Sequence, residues 1–378
     1  MLAGFAVLVA FCVVWAVREI WKRNVRFPTV AGAIVMASGV LLVDTWKRVE
    51  LLQEGAAPFV AVFLMGVAGC LFSAFVRDGW KGMLFKAHVR HPVKSFALGT
   101  WVAGLAVLVV LIVQGLPTVR WLAVALYGVM IPLWLSYLGV VARNYKYIWQ
   151  ARTKGRLLEQ MQGGLLLACV ATQAMLVAGD KLLAGSFPRW LAFVLLAVGC
   201  LMYGMGLMMI LVRYVRRRPL RLADRWENAN CIIHGALSIT GLAACLTEAW
   251  SADLVAGLWV VVCGLFVLVE GIEVVRAVER VRLYGWRRGL FCYSVTQWAR
   301  NFTFGMLVAF TVNLPWQGSF LGRESFSASL IHGVLTAGTY TVFALFLIEA
   351  SLWGWQGWKA RAEKPASSGK GGGRTMAH

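Results

Sequence analysis

The chain has 378 residues, of which 60% are hydrophobic and only 14% charged, and its formal net charge is +20. A soluble domain averages about 25% charged residues, whereas here apolar runs of roughly 17–25 residues recur along the whole length, each long enough to cross a bilayer as a helix. This excludes a soluble globular protein, and it excludes an outer-membrane barrel, whose alternating segments are about ten residues long. The expected class is an all-α integral membrane protein.

In chain order, apolar spans are predicted at residues 2–17, 28–46, 57–76, 95–114, 121–142, 161–180, 190–212, 229–247, 253–275, 291–313 and 328–350, eleven in all. Thirty of the 37 Lys and Arg residues fall in every second gap and in the tail. The gap 18–27 carries Arg18, Lys22, Arg23 and Arg26. The gap 77–94 carries Arg77, Lys81, Lys86, Arg90 and Lys94. The gap 143–160 carries Arg143, Lys146, Arg152, Lys154 and Arg156. The gap 213–228 holds six arginines, among them Arg216, Arg217 and Arg218. The gap 276–290 holds Arg276, Arg280, Arg282, Arg287 and Arg288. Six basic residues lie in the opposite gaps, and one, Arg300, lies inside a span.

Basic loops are retained in the cytoplasm. The predicted topology therefore has the N-terminus outside, the C-terminus inside and a cytoplasmic, inner-membrane location. It reads as one leading helix (residues 1–26 with its basic loop) followed by five hairpins (residues 27–352). The tail, 353–378, is rich in Gly, Ser and Lys and is expected to be disordered and basic. The first span has no basic residue before it and four after it, which suits an uncleaved anchor better than a signal peptide. The net positive charge is then a topology signal and an attraction for anionic lipid, with no nucleic-acid partner implied.

The eight cysteines lie in or beside apolar runs without a CxxC pair and are expected to be free thiols. The five histidines are scattered, and no GxSxG, HExxH or P-loop pattern occurs. No enzyme chemistry, metal or cofactor is implied.

Ionisable groups inside spans are expensive and mark candidate functional positions. Glu270 and Glu273 share a helical face, Glu349 lies near the end of the last span, and Arg300 lies about two turns into the tenth. One expectation is that an acid of this set pairs with Arg300 near the membrane edge. The other is a functional role, with Glu270 or His234 handling protons.

Every second span is richer in hydroxyl and amide groups. Ser95 and Thr100 lie in the fourth, Thr172 and Gln173 in the sixth, His234 and Ser238 in the eighth, and Asn301 with Thr303 in the tenth. Either these groups line an interior path, or they make ordinary hydrogen bonds between helices. Neutral donors with a single Arg would suit a weakly held anion.

His91-Pro92-Val93-Lys94-Ser95-Phe96 before a glycine-containing span resembles the entry to an inner helix of the tellurite-resistance/dicarboxylate transporter family, which includes the plant slow-type anion channels. Phe27-Pro28, the segment Gly163-Gly164 through Thr172-Gln173, and Trp298 to Met306 are similar to further motifs of that family, in the same order. The resemblance spans residues 27–352. It implies five hairpins in a ring, inner helices lining a central pore, and outer helices facing lipid. It implies a phenylalanine plug on the last inner helix, where Phe302 is the matching position and Phe304 the runner-up; lipid or core contact is the alternative for either ring. It implies Ser95, Thr100, Thr172, Gln173, His234, Ser238, Arg300 and Asn301 along the anion path, a small inorganic or organic anion as substrate, and a homo-oligomer, a trimer by analogy. The alternatives are a proton-coupled dicarboxylate, sulfite or tellurite carrier, and a non-transport subunit of a membrane complex.

Overall fold

The computed structural model describes residues 1–41, 56–151, 155–216, 221–323 and 325–362, and contains no strand among them. In chain order the helices are α1 (Leu2–Lys22), α2 (Gly32–Val40), α3 (Ala56–Trp80), α4 (Gly99–Gly115), α5 (Arg120–Ala151), α6 (Gly155–Glu159) and α7 (Leu167–Leu182). Then come α8 (Arg189–Arg216), α9 (Leu222–Arg225), α10 (Ile232–Thr247), α11 (Ala252–Gly289), α12 (Trp298–Asn313) and α13 (Ser325–Ala362). Each predicted span falls on a helix. Among the described residues, nine helical stretches are long and apolar enough to cross a membrane. The end of the second predicted span, Arg152, Lys154, Arg217, Arg218 and the tail from residue 363 lie outside the described residues.

Five helices form a closed ring: α2 packs on α4, α4 on α7, α7 on α10, α10 on α12, and α12 returns to α2. Outside them, α3 covers α2 and α4, α5 covers α4 and α7, α8 covers α7 and α10, α11 lies on α10 and α12, and α13 lies on α12. α1 packs on α3. Burial separates the two sets: 83–89% of the apolar stretch is buried in α4, α7 and α10, against 17–33% in α5, α8, α11 and α13. Each ring helix opens with a 3₁₀ segment, at Thr29–Ala31, Lys94–Leu98, Gly163–Leu166, Asn228–Cys231 and Val295–Gln297. All five segments adjoin basic gaps, so the ring helices run parallel, starting from one basic end.

Lipid supplies no hydrophobic drive between helices, so close approach and hydrogen bonds must hold the bundle. The missing side chain of glycine provides the approach, always in the same sense round the ring. A Cβ on Gly32 would meet Thr100 at 2.7 Å, one on Gly99 the Leu167 carbonyl at 2.7 Å, and one on Gly305 the side chain of Val40 at 2.6 Å. Gly163 sits likewise against Ala229, and Gly235 against Thr303.

Aromatic donors on the outer helices supply several of the hydrogen bonds. The Tyr137 hydroxyl donates to the Phe96 carbonyl (2.9 Å), Trp134 Nε1 to Thr172 Oγ1 (3.2 Å), the Tyr203 hydroxyl to the Ile233 carbonyl (3.0 Å) and Trp259 Nε1 to Thr311 Oγ1 (2.9 Å). Such bonds average about 0.6 kcal/mol each within a membrane.

The outer helices outrun their predicted spans at the basic end: α5 continues to Ala151, α11 to Tyr284, where Gly285 (φ 73°, ψ 166°) kinks it before a last stretch to Gly289, and α13 to Ala362. The last extension corrects the expected start of the disordered tail, because residues 353–362 are helical. Hydropathy marks where the membrane ends, whereas Lys, Arg, Glu and Gln are good helix formers and carry the helix on. All eight cysteines are free.

Candidate functional site

Two cavities lie on the ring axis, each lined by all five ring helices or their 3₁₀ entries. The larger, about 430 Å³, opens at the basic end. Thr29, Ala97, Gly164, Ala229 and Thr296, one residue from each 3₁₀ segment, surround it. Ala33, Thr100, Leu167, Ile232 and Ala299 lie about one turn further in, and Met36 two turns in. Its charged groups are Arg26, Lys94, His88, His91 and Asp78. The smaller, about 40 Å³, lies further along the same helices and has room for a few water molecules at most. Val40, Ala103, Ala174, Ile239 and Phe302 supply one wall residue from each ring helix, with Met306 beyond Phe302. Its one charged lining residue is Lys181, in the last turn of α7.

Phe302 is 1% exposed. Among the α12 residues lining the smaller cavity it is the nearest in sequence to Ala299 of the vestibule, three positions away. Phe304 faces elsewhere, in edge-on contact with Phe266 (centroids 4.8 Å apart) and His234 (6.2 Å).

The vestibule wall is built around His88. Its Nδ1 is 2.9 Å from Thr29 Oγ1 and its Nε2 is 3.5 Å from Asp78 Oδ2. Arg77 bonds Asp78 at 3.1 Å and donates to the Ile20 and Val25 carbonyls, tying α3 to the end of α1 and to the loop after it. Burial holds the His88 imidazole below its ordinary pKa against the raising effect of Asp78, so it is neutral near pH 7. Burial, with the Lys94 charge second, lowers His91 as well. The His91 Nδ1 accepts from the backbone N–H groups of Val93 and Lys94, 3.2 Å each, and so caps the 3₁₀ entry to α4.

Of the residues expected along an anion path, only Thr100 and Phe302 line the axial cavities. The others do not line these two cavities, and most of them have their contacts elsewhere. Ser95 accepts from Asn144 of α5 (2.6 Å), Thr172 accepts from Trp134, and Gln173 donates to the Leu196 carbonyl of α8 (3.4 Å). Ser238 donates back to the His234 carbonyl (2.9 Å), and Asn301 is buried with its Nδ2 unpartnered among the described residues. His234 Nε2 lies 3.5 Å from Glu270 Oε1 on α11. A hydroxyl or amide in a dry bundle needs a partner, which Ser95, Thr172 and Gln173 find on an outer helix and Ser238 on its own.

Arg300 lies off the axis. Its Nε is 3.3 Å from Glu270 and its Nη2 3.0 Å from Glu273, which also holds Arg276 at 2.7 Å. These groups line a crevice of about 550 Å³ between α11 and α13, with α12 as its floor. Glu349 of α13 is buried nearby, its Oε2 without a partner among the described residues. Sequence reasoning took Arg26 as a topology marker, His91 and Lys94 as part of the motif at an inner-helix entry, and His88 as one of five scattered histidines. Their position beside Pro28 and Pro92, where helices start, was the signal that they edge the ring.

A closed ring of five parallel helices with an axial cavity at each level, wrapped by outer apolar helices, defines a multi-pass membrane protein with a potential conduit. Residues 26–352 match the family model of the voltage-dependent anion channel, SLAC1. The chain belongs to that family, whose members are channels or transporters of anions and not enzymes. No curated protein matches the chain.

Proposed function

We propose that this chain passes small anions along the ring axis, with Phe302 as the steric gate between the vestibule and the smaller cavity. The observation that carries the reading is the pair of axial cavities, each contributed to by all five ring helices and separated at the level where Phe302 begins. Basic side chains sit at the wide mouth, and the neck is apolar. An ion therefore meets attraction on entry and, deeper in, an apolar neck whose one charged lining residue is Lys181 in the last turn of α7. A phenyl ring in an apolar neck blocks by volume and by dewetting, and its rotation costs little. Residues 27–352 constitute the transport domain, the basic end faces the cytoplasm of an inner membrane, and the chain assembles as a homotrimer.

The test is anion flux into liposomes carrying the purified protein. Phe302→Ala is expected to raise chloride and nitrate flux about tenfold, equivalent to lowering the barrier by about 1.4 kcal/mol. Silence of both wild type and mutant to chloride, nitrate, sulfite and malate rejects transport. Equal flux in the two rejects the gate. Purification as a free oligomer argues against a subunit of a larger complex.

A second reading rests on the His234–Glu270 approach of 3.5 Å. That pair would relay protons in a coupled carrier of a dicarboxylate, sulfite or tellurite. Uptake driven by an imposed pH gradient and abolished in Glu270→Gln would select it over a passive channel.

A further inference from the structure

The crevice behind α12 has features the axial conduit does not use. It gathers charges of both signs, Glu270 and Glu273 against Arg276, Arg280 and Arg300, and several of their buried polar atoms lack hydrogen-bond partners among the described residues. The orphaned acceptors are Glu270 Oε1, despite its 3.5 Å approach to His234 Nε2, and Glu273 Oε2. The orphaned donors are Arg276 Nε and Arg300 Nε, the latter despite its 3.3 Å approach to Glu270. A buried charge left half-satisfied is costly, so the site is arranged for a group that both donates and accepts.

Depth narrows the chemistry. Arg276 lies 24 residues beyond Ala252, the start of α11, or about 36 Å along a helix axis. The hydrocarbon core is about 30 Å thick, so Arg276 and Arg280 stand at headgroup level, with Glu273 one turn deeper. The opening of the crevice is apolar at the level of these charges: Val274, next to Glu273, is 63% exposed, and Leu345 of α13 also lines the crevice. A molecule with a charged head and acyl chains fits that pairing of a charged wall with an apolar opening.

We infer that this crevice binds the headgroup of a zwitterionic aminophospholipid. The primary ammonium donates to Glu273 and Glu270, the phosphate accepts from Arg276 and Arg300, and the acyl chains run along Val274 and Leu345. A choline headgroup has no N–H to donate and leaves the carboxylate acceptors unmet. A purely anionic headgroup such as phosphatidylglycerol offers the two carboxylates only neutral hydroxyl donors and no cation, so it gives no charge-assisted bond. α12 forms the floor of the site, so the lipid contacts the back of the same helix that carries Phe302 on its front.

The experiment is native mass spectrometry of the purified full chain with phosphatidylethanolamine, phosphatidylcholine and phosphatidylglycerol added separately. Retention of phosphatidylethanolamine about tenfold above the other two is expected, the factor of one charge-assisted hydrogen bond. Glu273→Gln, checked for an unchanged elution profile, is expected to erase the preference. Equal retention of the three lipids in wild type overturns the inference without recourse to any variant. So does an unaltered preference in folded Glu273→Gln. Displacement of the lipid by soluble O-phosphoethanolamine reassigns the crevice to a free amino-phosphate and overturns the lipid.

Discussion

The ring axis and the crevice behind α12 are opposite solutions to burial in a membrane. The axis is nearly bare of polar side chains beyond its mouth, and the crevice concentrates four charges within ion-pair distance. A conduit must release what it admits, so fixed charge along it would trap the ion. A crevice that only has to hold helices, or a lipid, can keep its charges paired. On the proposed function, the buried arginine belongs to the crevice, and the apolar wall with Phe302 belongs to the path.

The comparison breaks most visibly at Arg300. Arg300→Ala leaves Glu270 and Glu273 facing each other in a poorly hydrated site, and is expected to cost about 3 kcal/mol of stability. A thermal-shift measurement checks this, and adding Glu273→Gln is expected to recover part of the loss. A fall in anion flux out of proportion to the lost folded protein would instead move Arg300 onto the path. Next in size is the contrast within α12: Phe302→Ala raises flux, while Phe304→Ala, which empties the contact with Phe266 and His234, is expected to lower stability with flux per folded protein unchanged. Reversal of these two results would exchange the roles of the rings.

A smaller effect is expected at the mouth. Lys94→Ala is expected to cut flux by about threefold at low ionic strength and to have no effect near 1 M salt, where screening acts over about 3 Å. A salt-independent loss would point to a direct ligand in place of a steering charge. The smallest effect is that of pH. Burial keeps His88 and His91 below their ordinary values, so as pH falls through about 6.5 the unfolded chain takes up protons first. Stability declines from there down to the folded-state pKa values. The melting temperature should therefore be lower at pH 5.5 than at pH 7.5, and the difference should shrink in the double variant His88→Gln, His91→Gln.

The hairpin order was legible because hydropathy and the basic gaps report on the membrane directly. The division into ring and outer helices was legible too, although for a different physical reason from the expected one. Thr172, Gln173, Ser95 and Asn230 mark ring helices because those helices are buried on every side, where each polar group must meet a neighbour: Trp134, the Leu196 carbonyl, Asn144 and Tyr214. Which way such a group points depends on the rotation of one helix against the next, and a span's composition carries no record of that rotation. Arg300 shows the same limit. Its pairing with an acid of α11 was one of two readings, and the choice between them lay in the 3.0 Å approach to Glu273 from another helix. The helix ends were misjudged at α5, α11 and α13 because propensity, and no longer lipid, decides where a helix stops once it leaves the membrane.

The five 3₁₀ entries have an electrical consequence. Each ring helix begins at the vestibule with its unpaired N–H groups toward that end, and a helix start carries about half a positive charge. Five converging starts amount to roughly +2.5 charges belonging to the backbone. This potential does not titrate and survives removal of any single lysine or arginine. The mouth would therefore remain positive with its side chains neutralised, since the polarity is set by the direction in which five helices run.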